Sequence, residues 1–450
     1  MKTIIYILLL FFIFSCDEPH DYKPEPDDPN IYPDVKNGEA LDLLWKAERF
    51  IPKPENHGDL QSLKFQIKDE KVIVARDIYV EAYNKLDGNL IWRTEVSPVI
   101  GDYSISFARS DEIIYDKNSI FIIGDYMIYK LDMISGELLW QTELKGISFA
   151  TRHESLCHSD DAIYITERGV DDPAHLYAIS KSDGSILWKT EDLIEERKVN
   201  PGGVLVLGPA AYSFSNNKLY LGTKLHTQVT YEGSLICVDA STGEKEWETK
   251  VELDYTKNIL NGINTSIIYN NSTAADTEPK IVEDGIIFRN GFSVSKINFE
   301  GDLIWSSFFY YNNNIGTNTQ SGGELIGNKF YDFCYTPSNG SYGGEFDINT
   351  GIMTWSGDLS SKLSKASLGF FTHHYDPTTS TLFILTDGME LVGFNIDTKQ
   401  RTWDLNLGLQ QYWENDKWNK AECWGSYTVE GDRVYILGTK YIFCYQRKKS

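Results

Sequence analysis

The feature that most constrains this chain is a tryptophan that returns about every 48 residues. The stretches "LDGNLIWRTEV" (86–96), "ISGELLWQTEL" (134–144), "SDGSILWKTED" (182–192), "STGEKEWETKV" (241–251), "FEGDLIWSSFF" (299–309) and "NTGIMTWSGDL" (349–359) all read Gly, three residues, Trp. A seventh, "DTKQRTWDLNL" (397–407), keeps Trp403 but has Lys399 at the glycine position. With Trp45 of "NGEALDLLWKAERF" (37–50) added, the successive tryptophan spacings are 47, 48, 48, 59, 58, 50 and 48. Such a period marks one supersecondary unit repeated, with insertions in two copies.

The unit is legible in the copy that ends at Trp140. Its stretches "ISFARSDEIIYD", "NSIFIIGD", "YMIYKLDMISG" and "ELLWQTEL" are short, rich in β-branched and aromatic residues, and separated by Asp, Asn, Ser and Gly. No 3.6-residue apolar period competes with them. The glycine suits a tight third-to-fourth strand turn that needs positive φ, and Asp, Ser or Thr beside it can bond the turn backbone; Lys399 predicts a different turn in the seventh copy. The tryptophan needs a broad apolar neighbour, which a sheet stacked on the next one supplies. The expectation is an all-β, eight-bladed β-propeller of four-stranded antiparallel blades. Seven units end at Trp92, Trp140, Trp188, Trp247, Trp305, Trp355 and Trp403, and the C-terminus then holds only three strands, "CWGSYTVE", "DRVYILG" and "KYIFCYQ". The stretch around Trp45 is the missing outer strand, so the N-terminus is expected to close the last blade.

"SLICVDASTGEKEW" (234–247) and "HLYAISKSDGSILW" (175–188) resemble the repeat of pyrroloquinoline-quinone (PQQ) quinoproteins and of BamB, the lipoprotein subunit of the outer-membrane barrel assembly machine. The resemblance runs over nearly all of the chain after residue 37, and it implies that the eight tryptophans dock between blades. Quinoprotein dehydrogenases in that family carry a calcium site, a catalytic Asp and often two adjacent cysteines. This chain has no Cys-Cys pair and no recognisable set of those ligands, so no cofactor, metal site or catalytic residue is expected and a PQQ-dependent oxidoreductase is the weakest of the functional readings.

Residues 1–15 read as a lipoprotein signal: Lys2, an apolar run from Ile4 to Phe14, then Ser15 and Cys16. That run is too short to span a bilayer, and "IFSC" resembles a lipobox with Cys16 as the lipidated residue. Residues 16–36 are an acidic, proline-rich tether whose composition favours extended chain over a packed core. Residues 37–450 then form a single propeller. The expected location is a Gram-negative envelope, at the outer membrane, periplasmic or surface-exposed, held by the lipid anchor alone and monomeric.

With 65 acidic against 42 basic residues and a net charge of -23, the chain's own field opposes nucleic-acid binding. Cys157, Cys237, Cys334, Cys423 and Cys444 are odd in number, form no CxxC pair and sit mostly in apolar runs, which predicts free buried thiols. His373 and His374 are adjacent and would point to opposite faces of a strand; His153, His158 and His226 are scattered. The acidic pairs at 160–161 and 171–172 lack the pattern of a calcium loop and read as solvated turns.

Within a blade strand direction alternates, so one face of the ring takes the short Gly-x-x-x-Trp turns and the other takes the insertions: 192–209, 223–233, 251–280, 308–323 and 409–424. Length there costs entropy and adds nothing to the repeat, which makes that face the candidate binding surface. Tyr310 and Tyr311 in one insertion, and Tyr412, Trp413 and Trp418 in another, sit among amide and charged residues. That mixture suits a protein hot spot in an envelope scaffold and equally a sugar platform; the same rings could also plug the channel or pin their own loops.

Overall fold

The computed structural model describes residues 41–48, 65–76, 79–96, 113–123, 127–144, 156–166, 175–190, 193, 204–226, 231–250, 278–290, 293–308, 310–311, 314–315, 323–336, 340–358, 372–385, 390–406, 411–414, 417–420, 423–438 and 441–447. They include eight four-stranded antiparallel sheets, seven of them wound in simple sequence order from inner to outer strand. Blade 1 spans Phe65–Lys68 to Leu90–Glu95, blade 2 Ile114–Asp116 to Leu138–Glu143, and blade 3 Leu156–His158 to Ile186–Lys189. Blade 4 spans Val204–Ser213 to Lys245–Lys250, blade 5 Lys280–Val282 to Leu303–Phe308, blade 6 Glu324–Ile326 to Met353–Asp358, and blade 7 Thr372–Asp376 to Gln400–Asn406. Blade 8 takes Cys423–Glu430, Arg433–Gly438 and Tyr441–Arg447 from the C-terminus, and Leu41–Glu48 completes it as the outer strand. Trp45 faces Cys444 in that register, and Glu48 faces Tyr441. This is the eight-bladed propeller closed by its N-terminal strand that the tryptophan period predicts. No helix among the described residues is long and apolar enough to cross a membrane.

The middle strands are apolar on both faces because each blade is covered on both sides. In blade 2, Ile120 and Ile122 pack toward blade 1 while Phe121 and Ile123 pack toward blade 3. The described core accordingly divides into eight clusters, one at each blade-to-blade interface, including one that joins Trp45, Tyr435 and Cys444 of blade 8 to Val72, Val74 and Tyr83 of blade 1.

Six of the repeat tryptophans donate a hydrogen bond to the next blade. Trp45 Nε1 donates to the Lys85 carbonyl, Trp92 to Met133, Trp140 to Lys181, Trp188 to Ala240, Trp247 to Phe299 and Trp305 to Ile348, at 3.0–3.2 Å. Every acceptor lies in the third-to-fourth strand turn of the next blade. The turn glycine lies directly beneath the ring: a Cβ on Gly88 would come within 2.5 Å of Trp45 Cε3, and one on Gly136 within 2.5 Å of Trp92 Cδ2. The glycine therefore serves twice, holding φ at +73° in Gly88 and leaving room for the neighbour's indole. Two residues beyond the tryptophan a hydroxyl adds a second tie: Thr94 Oγ1 donates to the Gly136 carbonyl and Thr142 Oγ1 to Gly184, both at 2.5 Å.

The seam between blades 6 and 7 departs from this scheme, though not as its sequence suggests. Lys399 adopts φ +60° and its N–H reaches the Asn395 carbonyl at 3.0 Å, as Gly136 N–H reaches Asp132 at 2.8 Å, so the turn itself is the repeat's ordinary one. What changes is the tryptophan. A side chain now stands where the indole would lie, and Trp355 instead stacks on Phe394 with ring centroids 4.9 Å apart, its ring over Gly357 of its own strand. Gly357 occupies the position that carries Thr or Ser in blades 1 to 5, as Thr94, Thr142, Thr190, Thr249 and Ser307. Lys399 Nζ bonds Glu345 of blade 6, which also accepts from Tyr331 Oη at 2.7 Å and Thr354 Oγ1 at 2.7 Å. An ion pair with two hydroxyl donors thus ties the seam.

Candidate functional site

The two faces of the ring are built differently. On the face that carries the third-to-fourth turns, the connections are five-residue turns except in blade 5, which is one residue shorter, and in four of them the first side chain holds the turn closed. Asp132, Asp239, Asp347 and Asn395 each accept two following backbone N–H groups at 2.7–3.2 Å. Short-range bonding of this kind keeps the turn face low and regular.

The opposite face, which takes the second-to-third loops and the blade-to-blade connections, carries three additions among the described residues. In blade 4 the inner strand has ten residues and the next two have nine each, whereas the inner strand of blade 3 has three. Val204–Leu207 pair with Thr223–His226, which pair in turn with Tyr231–Ser234, so most of the segment 223–233 is not a loop but sheet that rises above the ring. At roughly 3.4 Å per residue, four extra residues lift this edge by about 13 Å. After the outer strand of blade 5, Tyr310–Tyr311 pairs with Asn314–Ile315, and its backbone lies beside the outer strand of blade 6. After the outer strand of blade 7, Gln411–Glu414 pairs with Lys417–Lys420, with Trp413 opposite Trp418.

Two of the expected insertions are therefore small hairpins. The first places the Tyr310 and Tyr311 backbone at the periphery, away from the axis. The side chains of Tyr310, Tyr311, Tyr412, Trp413 and Trp418 lie outside the described residues, as do those of Trp403, Cys334, Cys423, His226 and His373, and the whole of residues 1–40 with Cys16. Residues 251–277 are likewise outside them.

The axis holds a cavity of about 520 Å³, bounded by the inner strands of blades 1 to 6. Its wall mixes Ile113, Leu156, Ala211 and Leu325 with Tyr115, His158, Glu278 and Lys280. Tyr115 Oη is buried with no hydrogen-bond partner among the described residues, and desolvation, with a contribution from the Asp69 charge, drives its pKa well above the usual phenol. Glu278 is tied to Lys280 at 2.6 Å. Toward the turn face Lys181 Nζ sits between Asp116 Oδ2 at 2.8 Å and His158 Nδ1 at 3.0 Å. Burial works against the Asp116 carboxylate, but the Lys181 hydrogen bond and charge outweigh it and hold its pKa below the ordinary value.

Catalytic chemistry finds little support in these groups. No three His, Cys, Asp or Glu among the described residues are placed to hold a metal ion, and the carboxylates nearest the axis are committed to lysines. Asp160 and Asp161 are exposed in the first turn of blade 3, while 171–172 and His153 lie outside the described residues. Cys157, Cys237 and Cys444 are buried. Burial, aided by Glu246, pushes the Cys237 thiol up to about 12, and burial pushes Cys444 up to about 11. Such thiols are inert.

The family model described as outer membrane protein assembly factor BamB matches residues 42–190, 76–264 and 215–450. No curated protein sequence matches the chain. Among solved structures, BamB from Moraxella catarrhalis is similar at a TM-score of 0.54 and 12% identity, over 90% of this chain and 100% of that one. The quinohemoprotein alcohol dehydrogenase from Comamonas testosteroni is similar at a TM-score of 0.58 and 12% identity, over 91% of this chain and 77% of that one. At such identities the likeness is one of fold, and the same fold serves an assembly factor and an oxidoreductase.

Proposed function

We propose, from the premise that this chain belongs to the family of outer membrane protein assembly factor BamB, that it is a non-catalytic lipoprotein of the Gram-negative envelope whose propeller is a protein-binding scaffold. The observation that carries the reading is the asymmetry of the ring: a turn face closed by short-range bonds, and an opposite face bearing a raised blade 4 and two added hairpins. Elements that do nothing for the repeat core are the parts free to specify a partner. Cys16 is the proposed lipid anchor, residues 16–36 the tether, and residues 37–450 the propeller; the acyl chain is the only membrane attachment this reading requires.

Affinity capture from detergent-solubilised envelopes tests it. The expected result is recovery of barrel-assembly subunits, lost when the hairpin at 411–420 is replaced by a Gly-Ser linker. A second reading is favoured by the aromatic and amide content of the same hairpins: Tyr310 and Tyr311 in one, Tyr412, Trp413 and Trp418 in the other, as a platform for a glycan. Retention on a glycan array without assembly subunits in the capture would select it. Reduction of a dye dependent on added PQQ and calcium would overturn both in favour of an oxidoreductase.

A further inference from the structure

The turn face is regular but not uniformly polar. The third residue of the third-to-fourth turn is Ser182 in blade 3, Ser241 in blade 4, Asn349 in blade 6 and Asp397 in blade 7, and the shorter turn of blade 5 carries a half-buried Phe299 and an exposed Glu300, yet the residue is Leu86 in blade 1 and Ile134 in blade 2. These two are among the most exposed large apolar side chains described, at 59% and 61%. Behind them stand the exposed starts of the outer strands: Leu90 and Ile91 in blade 1, Leu139 in blade 2, and Leu43 and Leu44 in blade 8 on the near side. Outer-strand residues of this type recur in blade 3 as Ile186 and Leu187, in blade 5 as Leu303 and Ile304 and, just before the outer strand, in blade 6 as Ile352, and so belong in part to the repeat. Leu86 and Ile134 do not, and among the described residues only blades 1 and 2 combine an exposed apolar tip with an exposed apolar outer strand. Asp87 and Glu137 beside them are exposed, which is the mixture suited to the headgroup level of a bilayer.

The path of the chain indicates what covers this patch. Leu41 begins the outer strand of blade 8 at the turn-face end, because Trp45, four residues on, already caps the Lys85 carbonyl of the blade 1 turn. Leu41 thus stands on the side of the ring that carries the blade 1 turn, and 24 residues, positions 17–40, separate it in sequence from Cys16. In extended form at roughly 3.1 Å per residue they span at most about 75 Å from the lipid-bearing end. A tether rooted beside the patch holds it at the membrane and adds to an apolar contact that the rim makes by itself.

We infer that the turn-face rim of blades 1 and 2, centred on Leu86 and Ile134, rests on the lipid surface that holds the N-terminal anchor. The loop face then points away from that membrane. The inference rests on the anchor reading, and the two are separable. Palmitate labelling of the wild-type chain reports the anchor; flotation of the full mature chain bearing Cys16→Ser, which has no acyl group, reports the rim.

The probe is a vesicle of uncharged phosphatidylcholine, since a chain of net charge -23 is repelled by anionic lipid. The Cys16→Ser chain is expected to float with the vesicles at low and high salt alike. Adding Leu86→Ser and Ile134→Ser should cut the bound fraction by roughly fivefold or more, because two exposed side chains lose their apolar contact, with the melting temperature unchanged. Adding Leu303→Ser and Ile304→Ser on blade 5 instead should leave flotation intact. Absence of flotation in a chain that labels with palmitate, or equal losses from both pairs, would overturn the inference. So would sedimentation showing that Leu86 and Ile134 join two copies in solution while no vesicle binds.

Discussion

Trp45→Ala tests whether the ring depends on its N-terminal clasp. Trp45 is 8% exposed, packs with Tyr435, Leu437 and Ile442 of its own blade and with Val72, Val74 and Tyr83 of blade 1, and gives its indole N–H to Lys85. Removing a buried tryptophan of this kind costs about 3–5 kcal/mol through lost transfer energy and the cavity left behind. For a body of about 400 residues, with an unfolding entropy of roughly 2.1 cal/mol/K per residue, 4 kcal/mol lowers the melting temperature by about 5 °C.

Calorimetry reads that shift, and hydrogen exchange reads its location. The amides of 41–48 and 441–447 should exchange faster, since each strand is the other's partner, while those of blade 4 stay protected. Gly88→Ala supplies the second arm. Its Cβ would meet Trp45 at 2.5 Å, at φ +73°, so it should destabilise alone, yet add less on the Trp45→Ala background, where the ring it strikes is gone. A Trp45→Ala protein that melts within 1 °C of wild type, or single effects that simply add, would refute the clasp. The same reasoning predicts that deleting 37–50 destabilises the whole propeller and bares the Tyr441–Arg447 edge.

Two further predictions follow from the seam and the thiols. Burial works against the Glu345 carboxylate, but the Lys399, Tyr331 and Thr354 hydrogen bonds lower its pKa from 4.5 to about 2. A depressed folded-state pKa contributes stability above the unfolded value that is lost as pH falls from about 4.5 through 2. Thermal melts of wild type and Glu345→Gln should therefore differ most near pH 6 and converge toward pH 2; a constant gap would remove the ion pair from the stability of this seam. For the thiols, mass-spectrometric mapping at pH 8 should find Cys237 and Cys444 unmodified by a thiol reagent in the native protein and fully modified after unfolding, and rapid native labelling at either would contradict their burial.

The sequence by itself determined the repeat, the number of blades and the closure at the seam. These rest on local, periodic information: a turn that wants positive φ, a tryptophan at fixed distance from it, and one outer strand too few at the C-terminus. Only the tertiary structure decided what each tryptophan touches. Its partner is the turn of the next blade, some 40 to 52 residues further along the chain, so the glycine and the tryptophan that share a motif serve different interfaces. Hence Lys399, read alone, predicted a changed turn, whereas its side chain displaced Trp355 of the preceding blade and left the turn as it was. Similarly, the segment 223–233 reads as an insertion by length, and its pairing with Val204–Leu207 and onward into blade 4 makes it sheet. Strand pairing between distant segments leaves no local period, and for that reason the relief of the loop face emerged only with the fold.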